Sequence, residues 1–254
     1  MLFRLLIYIL FIITSRSVSA DNTLTIIAED LPPYHFRNDH GHADGALVEI
    51  TKALLKEAKL TAHFEIMPMA RAFHDLELYA NTLMMSLLKT SVREQQFQWV
   101  TPMYVADAYL VSLKTSAYHI NSLNDAKAYR VATIRGYSSE QYLKQAGFSE
   151  DNNLVLVSHY QQLWQMLKKG RIDFVLTNTL TLNNELKRSE LEPKAVKKTV
   201  HLDDFPAILY LTANKQLNQH TVTMLKHAMA QIKQNGQYQA ILTAWQLPIP
   251  PLSE

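Results

Sequence analysis

The chain of 254 residues has no cysteine, so disulfide scaffolds, thiol nucleophiles and Cys-ligated zinc are excluded together. Glycine is scarce, with six in the whole chain. Neither GxGxxG nor GxxxxGK(S/T) occurs, and no cofactor motif is visible. Charge of one sign is not in surplus either: 25 Lys and Arg stand against 23 Asp and Glu, a net of +2. A nucleic-acid interface needs a basic excess, so that class has no support. After the first twenty residues no apolar run approaches the about 20 residues that a membrane-crossing helix needs. No repeat or low-complexity stretch is visible. What remains is 48% hydrophobic and 19% charged, the composition of a folded globular chain.

Residues 1–20 read as a leader. Arg4 precedes the apolar run Leu5 to Ile13, and Ser17-Val18-Ser19-Ala20 supplies small residues for cleavage. Positive start, short apolar core and small-residue site make a secretory signal peptide, with cleavage expected after Ala20. The competing reading is an uncleaved anchor. Arg4 and Arg16 leave with the leader and no acid does, so 23 positive and 23 negative charges remain. The expected product is exported to the periplasm.

The rest alternates strand and helix patterns. Leu24 to Ala28 reads as a buried strand, broken by Leu31-Pro32-Pro33-Tyr34. Asp44 is placed to cap a helix carrying Leu47, Ile50, Leu54 and Leu55 on one face. Ala62 to Met67 is a strand, Pro68 opens a helix, and Leu83 to Leu87 is a strand again. Val131 to Ile134 leads through Arg135-Gly136-Tyr137-Ser138-Ser139 into a helix, with Ser138 expected to cap it. Strands at Leu154 to Ser158 and Ile172 to Thr177 flank a helix at Gln162 to Lys169. Helices near Leu217 to Gln234 and Gln237 to Trp245 close the chain. Such alternation predicts an α/β fold with mainly parallel sheets covered by helices.

Four segments in this order resemble the family 3 extracellular solute-binding proteins. They are Gly41-His42-Ala43-Asp44-Gly45-Ala46-Leu47-Val48-Glu49-Ile50, Ser86 to Arg93 with Phe97 to Tyr104, Gly170 to Asn178, and Asn235-Gly236-Gln237-Tyr238. Pro68-Met69-Ala70-Arg71-Ala72 is similar to a "PWxRA" subgroup. The resemblance covers essentially all of the chain after the leader. It implies a two-lobed type II periplasmic binding fold, with lobe one at 21–112 and 207–254 and lobe two at 113–206. Tyr109 to Leu113 and Ala207 to Leu211 would cross between the lobes. Hinge closure around a ligand would follow.

The resemblance also implies binding residues. Arg93 would pair with a ligand carboxylate through two charge-assisted hydrogen bonds, its alternative being a surface Arg beside Glu94. Ser86 and Thr90 would add donors nearby. Gly136, Tyr137 and Ser138 would hold the same carboxylate from the second lobe at a helix N-terminus, or simply form a capping turn. Arg135 would add anion preference or lie in solvent. Tyr34 and Phe36 would wall the ligand or pack in the core. Arg71 would reach the cleft or lie exposed. Trp99, Trp164, Trp245, Met84 and Met85 read as packing residues. His35, His40 and His42 with Asp39 and Asp44 are a weak pattern for a metal, and none is expected.

Two departures bear on the ligand. Asn178 stands where amino-acid binders of the family carry an Asp that pairs with the α-ammonium, and Met69 replaces the subgroup's Trp. Ordinary L-α-amino acids are therefore expected to bind poorly, and a carboxylate-bearing ligand without a required α-ammonium is preferred. The expected function is ligand capture by a monomer for an ABC transporter, without catalysis. Alternatives are a sensor subunit for a membrane receptor and a cyclohexadienyl dehydratase-like enzyme. For the latter, Glu29, Asp30, Asp203 and Asp204 are the carboxylates to inspect.

Overall fold

The computed structural model describes residues 23–178 and 181–250; the expected leader at 1–20 lies outside the described residues. The first part of the chain runs β1 (Leu24–Ala28), β2 (Phe36–Arg37), β3 (Ala43–Asp44), α1 (Ala46–Glu57), β4 (Ala62–Ile66), α2 (Met69–Leu78), β5 (Thr82–Leu88) and β6 (Phe97–Val105). The middle holds β7 (Ala108–Leu113), β8 (Val131–Ile134), α3 (Ser138–Gln145), β9 (Leu154–Val157), α4 (Tyr160–Lys168), β10 (Phe174–Asn178), α5 (Leu182–Arg188) and β11 (Val196–His201). The return is β12 (Ile208–Asn214), α6 (Gln219–Gln234) and α7 (Gln237–Ala244). Among the described residues no helix is long and apolar enough to cross a membrane.

Two five-stranded sheets form, with strand orders β4-β1-β5-β12-β6 and β9-β8-β10-β7-β11. The two orders match position by position. In each, three parallel strands are joined through helices, as parallel pairing requires. A fourth strand then runs antiparallel, β12 in one sheet and β7 in the other. Each fourth strand is the one that has just arrived from the opposite sheet. The chain passes between sheets at residues 106–107 and 202–207, and these links are tied together. Ala106 N–H donates to Ala207 O at 2.8 Å, and Leu202 N–H to Ala108 O at 3.0 Å. This corrects the expected crossings: Tyr109 to Leu113 lies within β7, paired to β10 and β11, and nearly all of Ala207 to Leu211 lies within β12.

Each lobe owns its core. Strands such as β8, buried at all four positions, suit a sheet covered on both faces. In the first lobe α1 presents Leu47, Ile50 and Leu54 to the sheet and packs on α6, which buries Val222, Leu225, Met229 and Ile232. Met84 and Met85 are core, as read from the sequence. The second lobe centres on Trp164, Phe174, Leu163 and Leu186. At about 1.5–3 kcal/mol per fully buried large side chain, burial is what holds each lobe.

Two expected caps are corrected. Asp44 does not cap α1; its Oδ1 accepts from the neighbouring Gly45 N–H at 2.8 Å. The first N–H groups of α1 go instead to backbone carbonyls: Ala46 to Pro33 O at 3.0 Å and Leu47 to Tyr34 O at 2.9 Å. That arrangement brings the Tyr34 carbonyl so near Gly45, at φ 120°, that a Cβ there would sit 2.4 Å from the oxygen. Ser138 is likewise not a cap but the first residue of α3, and Tyr137 precedes it without a capping side-chain bond.

Gly45→Ala should therefore cost at least about 2 kcal/mol, since both backbone strain and a backbone clash oppose it. Urea denaturation at fixed pH measures it, and a loss below about 0.5 kcal/mol would contradict the packing described.

Candidate functional site

In sheets of parallel strands, side chains that follow the carboxyl ends meet over the sheet edge, and that is where ligands bind. Here both sheets turn those ends toward each other. Glu29 and Asp30 follow β1, and Met67 to Ala70 follow β4. From the other lobe come Arg135 to Tyr137 after β8, Ser158 to Gln161 after β9, and Thr181 with α5 after β10. Between them lies a cavity of about 830 Å³. Among the described residues, three polar contacts bridge the lobes across it. The Tyr137 hydroxyl donates to Glu29 Oε2, Asn184 Nδ2 to Pro32 O at 3.0 Å, and Arg188 Nη1 to Asp30 Oδ2 at 3.3 Å.

Two of the wall carboxyls are desolvated without a cation beside them. Glu185, 5% exposed, accepts from Thr181 Oγ1 at 2.6 Å, Trp164 Nε1 at 3.0 Å and Thr177 Oγ1 at 3.2 Å. Burial is the largest influence and pushes its pKa up to about 7, opposed by these neutral donors. Glu29 is pushed up to about 7 by the same cause, with the Tyr137 bond opposing and Asp30 adding repulsion. The two acids also repel each other across the cleft. The cationic groups on the wall are engaged elsewhere. Arg135 binds Glu150 through Nη2 at 2.7 Å, Arg188 holds Asp30, and Arg37 donates to Gly41 O at 2.7 Å and Ile66 O at 2.9 Å.

Comparison with known proteins agrees with this architecture. Residues 24–248 match the bacterial extracellular solute-binding proteins, family 3. The chain belongs to that family. It is 24% identical over 220 residues to the ABC transporter arginine-binding protein 1 of Escherichia coli (strain K12), covering 86% of this chain and 88% of the relative. It is 21% identical to a probable histidine-binding protein of Neisseria gonorrhoeae, over 84% of this chain and 78% of the relative. Among solved structures, a histidine kinase sensor domain with similarity to periplasmic binding proteins superposes with TM-score 0.78 at 20% identity, covering 88% of this chain and 95% of that one. An ancestral arginine-binding protein bound to arginine gives 0.73 at 24% identity, covering 88% and 98%. The fold is thus the type II periplasmic binding fold, and the two named sequence relatives are binding proteins.

For a family 3 solute-binding protein, the residues expected to hold a carboxylate either lie off this cavity or bond within the protein. Arg93 is 5% exposed, lies over the Phe73 ring at 4.6 Å and does not line the cavity; burial lowers its pKa to about 10. Thr90 keeps its Oγ1 buried without a partner. Ser86 bonds His35 Nε2 at 2.5 Å. His35 Nδ1 lies 2.6 Å from Glu29 O, and a carbonyl only accepts, so Nδ1 carries the proton. Burial lowers the His35 pKa to about 4, so Nε2 is bare at neutral pH and Ser86 must be the donor. At the second lobe, the Gly136 N–H donates to Glu140 Oε2 at 2.6 Å, a carboxylate from the first turn of α3. Ser138 is buried away from this cavity, against a smaller one of about 70 Å³ near the crossings. Asn178 also faces that smaller space, and its Oδ1 accepts from Thr181 N–H at 3.2 Å.

Other expectations are corrected as well. Tyr34 is wholly buried against Tyr104, with ring centres 5.6 Å apart, and does not line this cavity. Phe36 packs on Trp245. Arg71 is exposed on α2, 3.5 Å from Asp75, and lies off the cavity. Of the binding residues named from the sequence, Arg135, Gly136 and Tyr137 line it, as do Glu29 and Asp30, two of the carboxylates to inspect. Asp203 pairs with His201 and stands in solvent. Among the described residues no group of three or more His, Asp or Glu could hold a metal. Sequence reasoning missed Glu185, Tyr160, Asn184, Arg188 and Arg37. A signal for Glu185 existed: it lies in the Leu182–Leu186 stripe that α5 buries, where a carboxylate is out of place.

With a folded pKa near 7 against an ordinary 4.5, Glu185 favours its protonated form in the fold. Its contribution is complete below the unfolded value and lost as pH rises through the folded one. Urea denaturation from pH 4.5 to 8 should show wild-type stability falling on the order of 2–3 kcal/mol from this group. Glu185→Gln should flatten the slope, and an unchanged slope would contradict the assignment.

Proposed function

We propose that this protein is a periplasmic receptor that captures a small polar solute between its lobes and presents the closed form to an ABC transporter. The observation that carries the reading is the cavity of about 830 Å³ with walls from both lobes. That volume falls within the about 300–1,000 Å³ of small-molecule sites. Two tied links joining otherwise separate cores suit hinge closure. Among the described residues, the first lobe would comprise 23–107 with 207–250, and the second those between 108 and 206. The relatives' names, arginine-binding and histidine-binding, support an exported transport role for a small nitrogenous solute. We read the cleft carboxyls as facing ligand, without catalysis, and the protein as a monomer.

The motif around Arg93 alone would favour a carboxylate on the solute. Its guanidinium, however, would have to leave Phe73 to reach one in this cavity. Asn178 adds no charge and is held in the turn to Thr181. An L-α-amino acid depends on partners for both its carboxylate and its ammonium, so ordinary members of that class should bind weakly.

Size-exclusion with light scattering should give a monomer, and native mass spectrometry of freshly purified protein should reveal a carried solute. Small-angle scattering should show contraction when that solute is added. An unchanged radius at saturation would count against capture by closure. Tyr137→Phe removes one cross-lobe hydrogen bond, so it should enlarge the unliganded radius and weaken affinity about tenfold.

A further inference from the structure

We infer that the solute this cleft selects is a small organic cation, an amine or guanidinium, held between Glu29 of the first lobe and Glu185 of the second, with no carboxylate required. The inference rests on the capture reading and names the chemistry of the same site.

Two sets of observations carry it. The groups that the family motifs would offer to an anion are committed to an acceptor of the protein itself or lie off the cavity. The Gly136 N–H points to Glu140, Arg135 to Glu150, the Ser86 hydroxyl to His35, and Arg93 rests on Phe73. An anion that took Arg135 or the Gly136 N–H would have to break an ion pair or a helix-terminal bond already made. The acids of the same cavity are in the opposite condition. Glu29 and Glu185 have only neutral hydrogen-bond donors, Tyr137 for one and Thr177, Thr181 and Trp164 for the other. Asp30 is answered by Arg188, so these two carboxyls are the unanswered charge of the wall.

The surroundings suit a cation further. A carboxylate has about four acceptor sites, and neutral donors leave room for a charged N–H, the stronger kind of bond. Tyr137 and Tyr160 both line the cavity, with ring centres 6.1 Å apart and near-perpendicular planes, so aromatic surface lies beside the acids. Ammonium and guanidinium groups are attracted to such faces. Because the two acids belong to different lobes, a cation touching both is bound only by the closed form. Ligand charge and lobe closure are thereby one event.

Titration calorimetry on the protein with agmatine, putrescine, L-arginine and succinate tests this. Agmatine, a guanidinium and amine without a carboxylate, should bind at least tenfold more tightly than succinate, and arginine no more than a few-fold better than agmatine. Glu29→Gln and Glu185→Gln, isosteric and on separate lobes, should each weaken agmatine at least tenfold, so that misfolding of one leaves the other as the test. Three results would each overturn the inference: binding of succinate but neither amine, arginine a hundredfold tighter than agmatine, or agmatine binding untouched by both variants. Absence of binding by both agmatine and putrescine would overturn it as well. Capture is judged separately, because contraction in scattering with succinate or arginine, or with the co-purified solute, would uphold closure while ending the cation assignment.

Discussion

The pair of links between β6 and β7 and between β11 and β12 is the constraint on which the rest depends. Each lobe is stabilised by its own core, so nothing apolar of comparable extent binds one to the other. What fixes their relation is that the chain crosses twice, with the two crossings hydrogen-bonded to each other. A single crossing would leave a swivel; two tied crossings leave principally an opening motion about the line they define. The matching strand orders follow from the same exchange, since each lobe completes its sheet with a strand that came from the other. The carboxyl ends of the parallel strands then necessarily meet at the cleft.

Within that cleft the deciding effect is desolvation. An acid in water costs nothing to ionise near pH 7, but one enclosed between two lobes must find donors or hold its proton. Glu185 finds three donors and Glu29 one, all neutral. Arg93 shows the reverse case: a guanidinium removed from water with only a ring face for company. Opposite buried charges that do not meet are costly to a resting fold. Their placement makes sense where a third group completes one of them.

The sequence made the lobes legible because strand and helix periods depend on local pattern, and β1, β4, β8 and the helices α1 and α4 emerged within a few residues. Caps were less legible. Asp44 and Ser138 have the right chemistry at the right place, yet distant backbone carbonyls satisfy α1, and Glu140 reaches back at α3. The site itself was legible mainly at Arg135, Gly136 and Tyr137, which follow a strand directly. Tyr34 and Arg93 lie off this cavity, and rank in a motif does not reveal which way a side chain turns. Glu185 was hidden for the opposite reason. It lies in no motif, and its meaning comes from contacts with Trp164 and Thr177, residues far from it in the chain or on another element.

Stability and recognition are therefore coupled through the same two carboxyls. At neutral pH each lies near its midpoint, so the empty cleft bears part of the cost of an ionised acid without a partner. A ligand that supplies positive charge removes that cost and adds attraction, so its apparent affinity includes relief of the fold as well as direct contact. An anion would meet the opposite balance, adding repulsion from Glu29, Asp30 and Glu185 while displacing bonds the protein already makes. The difference between the two cases does not depend on any single hydrogen bond. It arises because the arginines of the wall are engaged by acceptors of the protein while Glu29 and Glu185 have only neutral donors, and that asymmetry is built into two lobes that meet only when the cleft is closed.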